Sequence, residues 1–219
     1  GQSRQIAGDF DEDIYGLEWA QTGMFARANW RTSVKLLRID PKSGKTTVVE
    51  GLPDQVGGFT LSKNGQKIAF SASDANSLRE VYTAEVSDMK AQPLTHYTDQ
   101  LKDWKVAQSE VISWESKDGT EIQGVLHKPM DYDPNKQYPL LVMIHGGPTG
   151  MDRPAPVLTY VYPMVQWINK GALVLRVNYR GSAGYGEEFR SLNVRNLGVG
   201  DAWDVLSGVD HLEKKGMID

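Results

Sequence analysis

The 219-residue sequence contains no cysteine. Disulfides and cysteine-ligated metals are therefore excluded within it, and thiol usage gives no guide to the compartment. Histidine is scarce: His96, His127, His145 and His211 are the full set, and no two stand at a metal-ligand spacing. Neither a metal nor any other cofactor is expected. Long apolar runs are absent as well. The longest fall far short of the roughly 20 residues of a membrane helix, so no membrane segment is expected. Runs of one charge are also missing. The 24 basic and 28 acidic residues are interspersed at a net charge of -4, which favours no nucleic-acid partner. What is there, 40% hydrophobic and 24% charged residues, is the composition of a soluble globular protein, and the compartment, cytoplasmic or periplasmic, stays unknown. The length suits one large domain or two modest ones, and a homo-oligomer is left open. The chain starts at Gly1 with neither a Met nor a signal-like segment, so targeting is not legible.

The first half reads as β-structure. Strand signals run over Tyr15 to Trp19, Met24 to Ala28, Val34 to Ile39 and Thr46 to Val49, with a turn at Asp40-Pro41-Lys42-Ser43-Gly44. The pattern then recurs. Gly58 to Ser62, Ile68 to Ser71, Val81 to Val86 and Gln92 to Thr95 follow in the same order, around a hairpin turn with an Asn64-Gly65 core. The offset of about 40–47 residues is that of a four-stranded propeller blade. A β-sandwich with similar hairpins is the alternative. Two repeats are too few to bury the faces of such an array, so further blades are expected upstream of Gly1.

Asp99 to Gln108 is polar and linking. Glu110 to Glu115 and Glu121 to Leu126 alternate as two strands around Lys117-Asp118-Gly119. The character then changes to α/β. The apolar run Leu140 to Ile144 predicts a strand buried on both faces. Pro163 opens a helix ending near Lys170, with Val161, Met164, Val165 and Ile168 on one face and Gly171 as its stop. Ala172 to Val177 is the next buried strand, and together these make a βαβ unit. A last helix is predicted from about Asp201 to Lys215. Asp201 is its N-cap, Ala202, Val205, Leu206, Val209 and Leu212 its apolar stripe, and Gly216 its end. The domain reading is 1–98, an all-β part; 99–137, linker and first strands; and 138–219, the start of a mostly parallel α/β sheet.

The strand at 140–144 ends abruptly in His145-Gly146-Gly147-Pro148. Glycines at the carboxyl end of a parallel strand leave backbone N–H groups bare where open α/β sheets bind ligands. In α/β-hydrolases a loop of this kind supplies one N–H of an oxyanion hole. Such a donor, about 3 Å from the developing oxyanion, is worth roughly 3–4 kcal/mol. His145 reads as a supporting hydrogen-bonding residue rather than a base, since hydrolases take their base from late in the chain. The glycines between Gly181 and Gly186 match neither a dinucleotide fingerprint nor a phosphate loop, and predict a structured loop beside the site. Arg180 reads as an anchor for that loop through its rigid donor fork. Asp201 and Asp204 read as helix-dipole partners. His96, His127 and His211 read as surface residues, and the six tryptophans as core or inter-domain packing.

In order, Tyr138-Pro139-Leu140, His145-Gly146-Gly147-Pro148, Asn178-Tyr179-Arg180-Gly181-Ser182, Gly184-Tyr185-Gly186-Glu187-Glu188-Phe189 and Gly216-Met217-Ile218-Asp219 resemble the prolyl oligopeptidase family of serine peptidases. The likeness is nearest to its acylaminoacyl-peptidase and dipeptidyl-peptidase branch. Leu61-Ser62-Lys63-Asn64-Gly65 and Pro93-Leu94-Thr95 look like that family's propeller repeat. The resemblance implies the last blades of a β-propeller followed by the first part of an α/β-hydrolase domain. It implies short peptides as substrates and a Ser, Asp, His triad in that order. It also implies the N–H of Gly147 as one oxyanion donor, within a loop that includes Gly146, with His145 and Arg180 in support. No Gly-x-Ser-x-Gly elbow occurs in the 219 residues. The elbow is expected about a dozen residues past Asp219, and none of the triad in this chain, so the chain alone is expected to be inactive. An esterase on the same fold and a non-catalytic scaffold are the alternatives.

Overall fold

A computed structural model describes residues 3–157 and 163–219, and the chain divides into two compact units between Asp99 and Gln100. Val161, expected on the face of a helix, lies outside the described residues.

The first unit is β1 (Ile14–Ala20), β2 (Gly23–Trp30), β3 (Ser33–Ile39), β4 (Thr46–Val48), β5 (Gln55–Leu61), β6 (Lys67–Ser73), β7 (Glu80–Glu85) and β8 (Gln92–Pro93). Strands β1 to β4 pair in chain order as one antiparallel meander, and β5 to β8 as a second. The repeat is visible in its irregularities. The first strand of each meander carries a bulge, between Tyr15 and Glu18 in one and between Val56 and Phe59 in the other. A single parallel pair, Val34 with Gln55, joins the meanders in one sheet. Side chains complete the seam. The Gln55 amide donates to the Thr32 carbonyl at 2.8 Å, Glu18 accepts from the Leu61 N–H at 2.9 Å, and Thr22 Oγ1 donates to the Gly65 carbonyl at 2.6 Å. Phe25 and Leu36 from the first meander share a core with Val56, Ile68, Phe70 and Ala72 from the second. The period-2 alternation of β6 puts Ile68, Phe70 and Ala72 on that inner face.

The second unit contains β9 (Gln108–Glu115), β10 (Glu121–Lys128), β11 (Leu140–Met143), α1 (Met164–Asn169), β12 (Leu173–Asn178), α2 (Gly186–Ser191) and α3 (Gly200–Lys214). The sheet order is β11-β12-β10-β9. Among the described residues only β11 and β12 are a parallel pair of strands, a correction to the mostly parallel sheet expected; β9, β10 and β12 pair antiparallel. The tight turn at Lys117-Asp118-Gly119 allows β9 and β10 no other sense. A further parallel bridge joins Tyr138 to Ile218, with the Tyr138 N–H on the Met217 carbonyl at 3.0 Å.

β12 is buried at every residue, as its uninterrupted apolar character predicts, whereas β11 is only half-buried. That corrects the reading of 140–144 as a strand covered on both faces. Beyond Tyr138, the edge of β11 away from β12 has no strand against it among the described residues. The helices cover opposite faces of the sheet. α1 packs Met164 and Ile168 on Ala107 and Val174, and α3 packs Leu212 with Trp114, Leu175 and Val177.

The fully buried line along α3 is Gly200, Asp204, Gly208 and Leu212; of the predicted apolar stripe Leu212 lies in the core with Val205 and Val209 packed against it. Leu206 is exposed and Ala202 with it. A Cβ on Gly208 would stand 2.8 Å from the Trp114 ring, so the glycine lets the helix backbone lie directly on the indole. Val199 rather than Asp201 is the N-cap, without a side-chain cap bond; Asp201 sits in the first turn. Of the tryptophans, Trp114 is core, while Trp19, Trp30, Trp104 and Trp167 are exposed and do not belong to the core.

Candidate active site

β11 delivers the chain at its carboxyl end into His145-Gly146-Gly147-Pro148-Thr149-Gly150. Gly146 to Thr149 are exposed. Gly147 has φ +72°, a left-handed conformation that glycine adopts freely, and no atom stands within 4 Å of where its Cβ would be. No acceptor among the described residues takes the N–H of Gly146 or Gly147. Two adjacent N–H groups at the end of a parallel strand are thus without an acceptor among the described residues.

The loop is held from β12 and the turn after it. The His145 ring stacks on Tyr179 with centroids 4.6 Å apart, and the Tyr179 hydroxyl donates to the His145 carbonyl at 2.8 Å. His145 Nε2 lies 3.1 Å from Ser182 Oγ, and that hydroxyl donates to the Tyr179 carbonyl at 2.6 Å. A hydroxyl has one proton, so the contact with Ser182 is made by a proton on His145 Nε2, while Nδ1 stands 3.3 Å from the Gly146 carbonyl. Burial pushes the His145 pKa down, against the opposing pull of Asp152 and of the Gly146 carbonyl. Further on, Asn178 brackets the backbone of Asp152, accepting from its N–H at 2.7 Å and donating to its carbonyl at 2.9 Å. Arg176 pairs with the Asp152 carboxylate and donates to the Arg153 carbonyl at 3.0 Å. The Ala183 N–H donates to the Gly150 carbonyl at 3.2 Å. The glycine loop and the turn at 181–186 are therefore packed together.

Arg180 points elsewhere. Its side chain is 2% exposed, and its guanidinium spans two carboxylates. Nη2 is 2.8 Å from Asp204 Oδ1, and Nη1 is 2.8 Å from Asp118 Oδ2. Ser116 Oγ donates to Asp204 at 2.6 Å, and the Arg180 N–H does so at 2.7 Å. Asp204 is wholly buried, which removes it from the set of exposed first-turn acids. The hydrogen bonds from Arg180 hold the Asp118 carboxyl far below the usual carboxylate range, and those to Asp204 and Asp118 raise Arg180 further. The sequence-predicted residues thus separate. His145, Gly146 and Gly147 form one loop, while Arg180 locks β12 to α3 and to the β9–β10 turn.

Beside the loop, Ile144, Tyr179, Asp201, Ala202 and Val205 line a hollow of about 370 Å³. A second polar group lies on the α1 face of the sheet. His127 is fully buried, not a surface residue, with Nδ1 2.7 Å from Ser109 Oγ. It is an inward position of β10, opposite Val174 of β12. Burial, with a smaller push from Arg176, lowers its pKa to about 3.

The sequence model of the prolyl oligopeptidase family matches residues 160–219. The uncharacterized peptidase YuxL of Bacillus subtilis (strain 168) is 29% identical over 163 residues, covering 74% of this chain and 24% of that protein. Acylamino-acid-releasing enzyme 1 of Oryza sativa subsp. japonica is 39% identical over 83 residues, 37% of this chain and 10% of that one. Over these residues the chain is similar to the prolyl oligopeptidase family. Its fold is also that of the Pyrococcus horikoshii acylaminoacyl peptidase, with a TM-score of 0.80 at 24% identity over 98% of this chain and 33% of that one. The chain therefore spans about a quarter of the length of YuxL and a third of the solved peptidase.

The segment matched by the prolyl oligopeptidase model contains β12, Tyr179, Arg180, Ser182 and α3; the glycine loop precedes it. Sequence reasoning missed Tyr179, Ser182, Asn178, Arg176 and Asp152 as partners of the loop. The run Asn178 to Ser182 was conspicuous as a motif, but only tertiary geometry shows that Asn178, Tyr179 and Ser182 turn toward 145–152 while Arg180 turns away. Asp152 carries no sequence signal at all.

Proposed function

We propose that this chain is part of a serine peptidase that cleaves short peptides, dipeptidyl- or acylaminoacyl-peptidase-like, through an acyl-enzyme. The two meanders of residues 1–98 are the last blades of a β-propeller. Residues 99–137 are linker and first strands of an α/β-hydrolase domain, whose N-terminal part runs over 138–219. Gly147 donates its N–H to the oxyanion of the tetrahedral intermediate, Gly146 gives the loop its freedom, and His145 and Arg180 support the framework.

The observation that carries this reading is the Gly147 N–H, without an acceptor among the described residues, in an exposed loop that follows a parallel strand and is anchored on both sides. Peptide-bond cleavage places negative charge on a carbonyl oxygen, and a fixed donor there acts only as that charge develops. The nucleophile comes from an elbow outside these 219 residues, and His as base and acid completes the mechanism. A fluorogenic dipeptide and an acyl-amino-acid substrate test this. The chain alone gives no turnover above blank. A longer form carrying a Gly-x-Ser-x-Gly elbow turns both over, sensitive to a serine-directed inhibitor. Inhibitor-sensitive turnover by the 219 residues alone overturns the reading, and a longer form that cleaves esters but not peptides moves it to an esterase.

A further inference from the structure

The donors at Gly146 and Gly147 need a direction as well as an opening. Among the described residues, Thr149 Oγ1 donates to the Gly147 carbonyl at 3.0 Å, and His145 Nδ1 lies 3.3 Å from the Gly146 carbonyl, in the peptide unit that bears the Gly147 N–H. The stiffness of that unit has to come from a neighbour. We infer that Tyr179 is the positioning residue that aims the Gly146 and Gly147 N–H groups; the inference rests on the oxyanion reading of Gly147.

Three observations carry it. First, the carbonyl on which the Tyr179 hydroxyl donates, at 2.8 Å, is that of His145. That oxygen belongs to the same planar peptide unit as the Gly146 N–H, so fixing one fixes the other. The Gly147 unit follows across a single pair of backbone dihedrals. Second, the Tyr179 ring stacks on the imidazole at 4.6 Å and 20°, which holds the same residue by its side chain. Third, the contacts close a circuit of three donors. Tyr179 O–H reaches the His145 carbonyl, His145 Nε2–H reaches Ser182 Oγ, and Ser182 O–H returns to the Tyr179 carbonyl. Each residue is held at two points by the other two. Tyr179 itself stands at the end of the fully buried strand β12 and is 5% exposed. Burial, then the charges of Asp201 and Asp152, keep its hydroxyl protonated and a donor. The precision of a rigid strand is thereby passed to an exposed glycine pair.

The test is Tyr179→Phe in a form of the protein carrying the elbow, which keeps the stacked ring and removes only the donor. Tyr138→Phe serves as control, since its hydroxyl accepts from the Asp133 N–H at 2.7 Å, another half-buried tyrosine bond of the same unit. Tyr179→Phe is expected to lower kcat about 10- to 100-fold, the scale of a misplaced group of about 1 Å, with KM within about twofold. A peptide aldehyde, whose serine adduct carries the oxyanion, weakens by the same factor, while a product peptide binds unchanged. Nitrogen relaxation on isotope-labelled protein shows the order parameters of Gly146 and Gly147 falling from about 0.85 toward 0.6. Tyr138→Phe changes none of these. If Gly147→Pro lowers kcat but Tyr179→Phe leaves kcat, aldehyde affinity and order parameters unchanged, the positioning role is overturned. If Tyr179→Phe loosens both glycines while Gly147→Pro leaves turnover intact, the positioning role holds and the oxyanion reading falls.

Discussion

β11 and β12 are neighbours, parallel, and end on the same side of one sheet, yet their ends are built oppositely. Past β12, Arg180 is enclosed and its donors are matched by Asp204, Asp118 and Ser116. Past β11, Gly146 and Gly147 keep donors that nothing in the described chain accepts. A saturated strand end contributes stability and tolerates little. An unsaturated one contributes little to stability and is ready for a ligand. Having both side by side, tied by Tyr179 and Ser182, lets the first hold the second in place.

The contrast can be broken most severely at Asp204. Asp204→Ala leaves a buried guanidinium short of its main partner and should destabilise the fold by about 3–5 kcal/mol. Chemical denaturation followed by Trp114 fluorescence measures it, and an unchanged midpoint would erase the distinction between the two ends. Gly147→Pro removes the free donor and abolishes the left-handed conformation. In a form carrying the elbow it should lower kcat about 10²- to 10³-fold while shifting the unfolding midpoint little. A large stability loss without a kcat effect would make Gly147 a structural residue. Gly208→Leu drives a side chain into the Trp114 ring and should cost about 1–3 kcal/mol on the saturated side alone, read by the same denaturation.

The remaining effects are pH-dependent and separate the two units. His127 is buried neutral, its pKa lowered from 6.5 to about 3. The stability it contributes is complete above 6.5 and is lost as the pH falls toward 3. In the first unit, burial pushes Glu80 up, but bonds from Thr95, Thr98 and the Tyr97 N–H outweigh it and hold the carboxyl at about 2, down from 4.5. Its contribution is complete above 4.5 and is lost toward 2. Denaturation midpoints across pH should therefore lose part of their slope between 6.5 and 4 in His127→Asn, and below 4.5 in Glu80→Gln. Identical slopes in parent and variants would remove both assignments.

What could be read from the sequence was local. The eight strands of the first unit follow from alternation and turn chemistry, because each pairs with its chain neighbour and the hairpin residues set the register. Asn64-Gly65 and Asp40 to Gly44 turn where their backbone preferences require. The helix α2 was missed because six residues opening at a glycine carry neither a cap nor a period. The face of α3 was read only in part because its buried line includes two glycines and an aspartate, residues that hydrophobic patterning discounts. Trp114 explains Gly208, and Arg180 with Ser116 explains Asp204, all of them remote in sequence. His127 looked polar and therefore exposed, until β12 was seen to lie against β10. The glycine loop itself was visible from its strand; its anchors were not, because they depend on how two strand ends meet.

The order of strands in the two sheets also has a consequence for time. In the first unit nearly every pairing joins consecutive strands, so each hairpin can zip as soon as its turn forms. In the second, β12 has to slot between β10 and β11, after the intervening crossover has been spanned. Loop closure precedes reward there, and pulse-labelled hydrogen exchange during refolding should find amides of β6 protected before those of β12. The strand that steadies the exposed glycines is then among the last to be laid down, and until it arrives the loop has nothing to lean on.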